Sequence, residues 1–301
     1  MSREPILVTG AAGGVGSTAR TAISVLLEQG LRVRAMVRKL DGRAEALRGL
    51  GAEVVVADML DILAVRAAMQ GCSRLYFTMS VSPSYLEAAA NVAVTARSLG
   101  VKAFVNLSQM TVSEMSETET TSSPQQKQHW LAEQMLGWSG LPVVYLRPTA
   151  FLEVFLLQAA KGIRDDNAIR LPFGNGKTSM IAAADVGAAA AAVLANPAPH
   201  IGKVYDLTGP HSLTMTEIAK EFSGALGRPI SYVDAPPQMW EAKLQELRLP
   251  PHLVAHLLTI AQLNRDNRYD RMTDDFREIV GRAPTSVAEF VRRNAAAFTP
   301  A

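Results

Sequence analysis

Short runs of β-branched and apolar residues alternate with helix-length segments through the first half of the chain. The runs at 6–9, 32–37, 53–57, 75–79, 103–107 and 143–146 predict strands. The segments between them, 14–28, 43–50, 62–69, 84–99 and 124–138, carry helical spacing or strong helix formers. Gly30, Gly71 and Gly100 follow three of them, where a helix end calls for a residue tolerant of positive φ. Strands separated by crossover helices form parallel sheets with right-handed connections. The predicted fold is therefore α/β, a Rossmann-type doubly wound parallel sheet.

After Pro148 the rhythm becomes irregular. The pattern predicts an aromatic helix over 151–163, a turn at Phe173-Gly174-Asn175-Gly176 and an alanine-rich helix following Asp185, which reads as a cap or a domain-joining residue. A strand at 203–207, a helix at 214–226, a short strand at 229–233 and mostly helical sequence complete the chain. We expect residues 1–150 to form a dinucleotide-binding domain and residues 151–301 a smaller, mostly helical substrate domain, some of whose segments pack back on the first. The stretch 111–128, rich in Ser, Thr, Glu and Gln, follows the fifth predicted strand. It reads either as a surface excursion or as a cover over a site at the strand ends.

Composition narrows the classes of function. A chain of 301 residues, 48% hydrophobic, can bury a large core. Thirty Lys and Arg against 28 Asp and Glu leave a net charge of +2 without a basic run, so nucleic acid is not an expected partner. Cys72 is the lone cysteine, no export signal precedes the first strand, and the most apolar stretch, 181–195, is short and contains Asp185. The expectation is a cytoplasmic protein with no membrane partner, either monomer or homodimer. Asn106-Leu107-Ser108 fits a glycosylation sequon but lies in an apolar strand pattern, and His252 and His256 lack a third metal ligand, so both are set aside and no metal is expected.

The chemistry begins directly after the first strand, at Gly10-Ala11-Ala12-Gly13-Gly14-Val15-Gly16. Glycines here permit a tight turn and close approach of a pyrophosphate to the N–H groups that open the next helix. Gly10, Ala12, Gly13, Gly14, Val15 and Gly16 are therefore the candidate phosphate loop. At the end of the second strand stands Arg38, where a NAD-selective site would carry an acid; a guanidinium instead suits the 2′-phosphate of NADPH (NADP+). Asp58 and Met59 end the third strand. Asp58 is placed to accept from the adenine amino group or to cap the following helix.

These residues, with Phe104-Val105-Asn106-Leu107-Ser108, Gly140-Leu141-Pro142, Leu146-Arg147-Pro148 and Phe151, resemble the NmrA-like branch of atypical short-chain dehydrogenases/reductases. Ala184-Asp185-Val186, Leu207-Thr208-Gly209-Pro210, Leu226-Gly227-Arg228 and Phe290-Val291-Arg292-Arg293-Asn294 extend the likeness over nearly the whole chain. The resemblance implies NAD(P)H binding, with NADPH the usual choice, and a substrate cleft between two domains. It covers quinone, azo-dye and triphenylmethane-dye reductases, isoflavone reductase-like enzymes, and regulators that bind the dinucleotide without turnover.

Typical short-chain dehydrogenases place a Lys four residues after a catalytic Tyr. Here Tyr76, Tyr85, Tyr145, Tyr205, Tyr232 and Tyr269 are followed at that offset by Ser80, Ala89, Thr149, Gly209, Pro236 and Thr273. Ordinary alcohol–ketone chemistry is disfavoured. The candidate catalytic residues are His129, with Glu133 one turn on as its orienting partner, and Ser108, which resembles the family's usual serine. His129 stands about where isoflavone reductase-like relatives carry a catalytic lysine; a helix-surface pair and a strand-end turn are the plainer readings. Thr78, Met79 and Ser80 are expected beside the nicotinamide half of the cofactor, and Phe151, Phe155 and Trp240 either line an apolar acceptor pocket or belong to the core. The expected function is an NADPH-dependent reductase passing hydride to a small aromatic acceptor; the alternative is an NADP(H)-binding redox sensor or regulator.

Overall fold

The computed structural model describes residues 4–13 and 17–300. Its centre is a sheet of seven parallel strands. The chain enters through β1 (Ile6–Val8), α1 (Thr18–Glu28), β2 (Val33–Val37), α2 (Gly42–Gly49), β3 (Glu53–Val56) and α3 (Ile62–Met69). It continues through β4 (Arg74–Phe77), α4 (Tyr85–Ser98), β5 (Ala103–Leu107), α5 (Pro124–Trp138) and β6 (Val143–Pro148). The order β3-β2-β1-β4-β5-β6, with a seventh strand beyond β6, reverses direction at β1 and β4, the switch point where doubly wound sheets take ligands.

Period-two alternation assigns each strand residue to one face. Ile6, Val8, Ala35, Tyr76, Val105 and Val144 join the cluster under α1, α2 and α7 (Ala183–Ala195), whereas Leu7, Met36, Leu75, Phe77 and Phe104 join the one under α3, α4 and α5. Side-chain caps start α1, α2 and α3: Ser17 accepts from Arg20 N, Asp41 from Arg43 N, and Asp61 from Leu63 N. Asp61, not Asp58, thus caps α3. The predicted helix 14–28 is observed as α1 from Thr18, and its first three residues lie outside the described ones.

The later half departs more from the pattern. Instead of one helix over 151–163, Phe151 bridges to Ile181, a π-type turn spans Phe155–Ala159, and α6 (Ala160–Asp166) follows. β7 (Ala168–Leu171) falls outside the predicted strands, and β8 (Lys177–Thr178) and β10 (Leu213–Thr214), two residues each, lack the length that periodicity detects. β7 pairs with β11 (Ser231–Asp234), and β8 with β10. β9 (Val204–Leu207) and α7 return to the main sheet, β9 as its edge strand. The remaining helices are α8 (Met215–Leu226), α9 (Pro237–Glu246), α10 (Pro251–Arg265), α11 (Asp275–Val280), α12 (Val287–Arg293) and α13 (Ala295–Phe298). A third hydrophobic cluster, drawn from Leu152 to Phe298, packs α8, α9, α10, α12 and α13 together.

Helix α7 lies closely on α1: a Cβ at Gly187 would stand 2.4 Å from the Thr18 carbonyl oxygen. The start of α7 is held by acids. Both oxygens of Glu153 receive Ala183 N–H at 3.1 and 3.0 Å, and Asp185 accepts from Arg282 at 2.7 Å and Thr285 N at 2.6 Å. Asp185 therefore joins distant segments, and the cap belongs to Glu153. No helix among the described residues is long and apolar enough to cross a membrane.

Candidate active site at the carboxyl edge of the sheet

At the β1 end, Gly13 N–H donates to Gly10 O at 3.0 Å, closing a tight turn. Gly10 has φ of +60°, and a Cβ there would meet Thr78 O at 2.5 Å, so glycine is required twice over. Thr9 Oγ1 donates to Thr78 O at 2.9 Å and accepts from Thr78 N at 3.0 Å, fastening the end of β1 to Thr78 beyond β4. Met79 and Ser80 continue from there toward solvent. Ala12 is half-buried and Gly13 exposed; Gly14, Val15 and Gly16 lie outside the described residues.

Arg38 is exposed just past β2 and has no hydrogen-bond or ion-pair partner among the described residues. Nearby, Arg43 pairs with Asp41 and donates to Ala12 O in the glycine turn at 2.8 Å. Sequence reasoning missed Arg43, whose only signal was its place in the first turn of α2. Asp58 is exposed and accepts from Leu60 N at 3.0 Å, while Met59 is buried with its carbonyl held by Asn91 at 3.0 Å. Gly13 and Arg38 are both exposed, and Ser17 caps the N-terminus of α1, where helix N–H groups attract anions.

Farther along the edge, α5 presents Gln125, Gln126, His129 and Glu133 on its buried side. Glu133 does not orient His129. Its carboxylate is taken by Arg147 of β6, through Nε at 3.0 Å and a second bond from Nη2. His129 packs against Tyr85, ring centroids 4.0 Å apart, with Nδ1 buried and unpartnered. Burial, reinforced by the neighbouring His256, drives its pKa down to about 3. The ring is neutral near pH 7, so the expectation of an imidazole exchanging protons there is corrected. Ser108 Oγ and both amide atoms of Asn106 are also buried without partners. Asn106 stood out in the sequence only within a discarded sequon and the family-like strand, with no role assigned to it.

The 111–128 stretch is tied down rather than loose. Glu114 pairs with Arg268 and Arg271, Ser113 accepts from Arg271 at 2.7 Å, Ser122 meets Thr259 at 3.3 Å, and Ser123 meets His256 Nδ1 at 3.1 Å. Phe155 and Trp240 are buried in the third cluster, Phe155 edge-on to Phe222 at 5.1 Å, so the core reading prevails for both. Phe151 is half-buried where the chain leaves β6. Sequence analysis also passed over Glu153, two residues on, whose burial pushes its carboxyl up to about 7.

The NmrA-like family model matches residues 2–291. An NAD(P)H azoreductase from Xenophilus azovorans is 28% identical, with 97% of this chain and 99% of that protein aligned. A (4-alkanoyl-5-oxo-2,5-dihydrofuran-3-yl)methyl phosphate reductase from Streptomyces griseus is 31% identical, with 98% and 99% aligned. The crystal structure of an NADPH-dependent quinone oxidoreductase from Escherichia coli, complexed with NADPH, superposes with a TM-score of 0.81 at 27% identity, covering 96% of this chain and 99% of that one.

Proposed function

The chain belongs to the NmrA-like family, and on that premise we propose that it is an NADPH-dependent reductase delivering hydride to a small aromatic acceptor. That it is an NAD(P)H-dependent oxidoreductase follows from full-length relatives that are reductases. The observation carrying the finer reading is the unpartnered Arg38 beside the glycine turn, at the same sheet edge as the unpartnered Ser108 and His129.

Each residue then has a task. Gly10 and Gly13 keep side chains away from the pyrophosphate, and α1 directs its N-terminal N–H groups at it. Arg38 engages the 2′-phosphate. The Thr9–Thr78 clasp fixes the path of Thr78, Met79 and Ser80 past the nicotinamide. The bound cofactor supplies the hydride; the chain supplies proximity, a dry wall and hydrogen bonds to the acceptor. Ser108 Oγ and the neutral His129 ring are the donors, and solvent water delivers the balancing proton. In this reading residues 1–150 hold the cofactor and supply the polar donors to the acceptor, and residues 151–301 close the acceptor side of the cleft, with Phe151 at the junction.

The test follows loss of NADPH absorbance with quinones, azo dyes and triphenylmethane dyes, for the native protein and His129→Ala. Turnover of at least one acceptor, lowered at least tenfold by the substitution, is expected (about 1.4 kcal/mol). Tight NADPH binding without turnover of any acceptor would overturn the proposal and identify a dinucleotide-responsive regulator.

A further inference from the structure

We infer that Asn106, Ser108 and His129 form the polar wall of the acceptor site, and that this wall selects an uncharged quinone over a sulfonated azo dye or a cationic triarylmethane dye. The inference rests on the reductase reading and narrows it.

The three side chains are 1%, 5% and 8% exposed, and each leaves a buried polar atom without a partner. Alternation along β5 puts Asn106 and Ser108 on the face that α4 and α5 cover, the face of Phe104. Tyr85 joins them to His129: its ring lies on the imidazole, and its hydroxyl donates at 3.3 Å to the carbonyl of Leu107, the residue between Asn106 and Ser108. Helix α5 runs back from the carboxyl edge, and Glu133 is level with Arg147 near the end of β6. His129, one turn earlier in α5 and so about 5 Å nearer the edge, stands where an acceptor meets the strand ends.

Unpaired buried polar atoms cost stability, and several gathered at one strand end signal a ligand that completes their bonds. The chemistry of that ligand follows from the charges. Glu133 is committed to Arg147, and Glu114 to Arg268 and Arg271. The three side chains of the wall themselves bring neither a cation for a sulfonate nor a carboxylate for a dye cation, and the exposed Lys127, two residues before His129, lies on the opposite face of α5. What is offered is neutral: a hydroxyl, a primary amide and an uncharged imidazole, all able to donate to a carbonyl oxygen. The reaction balances as quinone, NADPH and one proton giving hydroquinone and NADP+, the quinone gaining the two electrons that the dinucleotide loses.

Asn106→Leu tests the inference, because leucine fills a similar volume and removes the unpaired amide. With tetramethyl-1,4-benzoquinone, kcat/KM is expected to fall at least tenfold, and calorimetric affinity of the same quinone for the NADP+-loaded protein to fall in parallel (about 1.4 kcal/mol for a tenfold change). NADPH affinity should be unchanged, and Tm equal or higher. Ser108→Ala should repeat the loss of quinone affinity. A lower Tm with quinone binding intact would assign Asn106 a purely structural role and overturn the inference. So would a native preference for methyl orange or malachite green over the quinone. Those outcomes leave the reductase reading standing, whereas absence of turnover with every acceptor removes both.

Discussion

Replacing Arg38 with alanine removes an exposed cation that no carboxylate engages among the described residues, so its effect on binding can be separated from any effect on folding. A charge-assisted hydrogen bond contributes about 1.5–3 kcal/mol. Solvent at this exposed position screens the interaction, which places the expected loss near the lower bound, about 1.5 kcal/mol, or roughly tenfold in Kd for NADPH. NADH carries no 2′-phosphate and should lose less than about threefold. Arg43→Ala provides a contrast. Its guanidinium steadies the glycine turn through Ala12 O, so both dinucleotides should weaken together. Calorimetric titration of both cofactors at low and high salt measures this directly. The native preference for NADPH should shrink as salt rises, and that salt dependence should be weaker in Arg38→Ala. Equal losses for NADPH and NADH in Arg38→Ala would refute the assignment of Arg38 to the phosphate.

Two predictions concern buried charge. Glu133→Ala strands the Arg147 guanidinium between α5 and β6; breaking a buried pair costs about 3–5 kcal/mol, so scanning calorimetry should record a Tm drop on the order of 10 °C. A shift of a degree or two would mean that water reaches Arg147. Glu153 has a folded-state pKa raised from 4.5 to about 7, so the native state holds its proton longer than the unfolded chain, and stability is lost as pH rises through that interval. Glu153→Gln should therefore exceed the native protein in stability above about pH 7, by at most on the order of 3 kcal/mol, with the gap closing at acid pH. A gap independent of pH would show that the carboxyl does not titrate there.

The regular half of the fold was legible because each β–α unit carries its own pattern. Predicted and observed bounds agree for β5, α3 and α5 and differ by one or two residues for most others up to β6. Legibility failed where structure depends on partners distant in sequence. β8 is two residues long and is held by Leu213, Thr214 and Tyr269; the helix expected over 151–163 starts late, after Phe151 has bridged to Ile181, and opens with the π-type turn. The site divides in the same way. The positive φ at Gly10 and the exposure of Arg38 just past β2 follow from local position and were legible as a turn and a strand end, whereas the approach of Thr78 to Gly10 was not. The loss of Glu133 to Arg147, the depressed pKa of His129 and the unpaired Asn106 come from packing between α5 and the sheet. Helical spacing placed His129 and Glu133 on one face correctly but could not say which neighbour each would meet.

The close seating of α7 on α1, together with β9 at the sheet's edge, sets an order on the birth of the molecule. The glycine turn and α1 are synthesised early, but the helix that covers α1 ends at Ala195 and the strand that shields β6 ends at Leu207. Phe276, in the same cluster, arrives later still. A nascent chain stopped at residue 150 would carry β6 as a bare edge and α1 without its cover, inviting strand pairing with other chains. The central sheet is thus continuous in space but not in translation. About 60 further residues must leave the ribosome, at some 5–20 residues per second, before it can close.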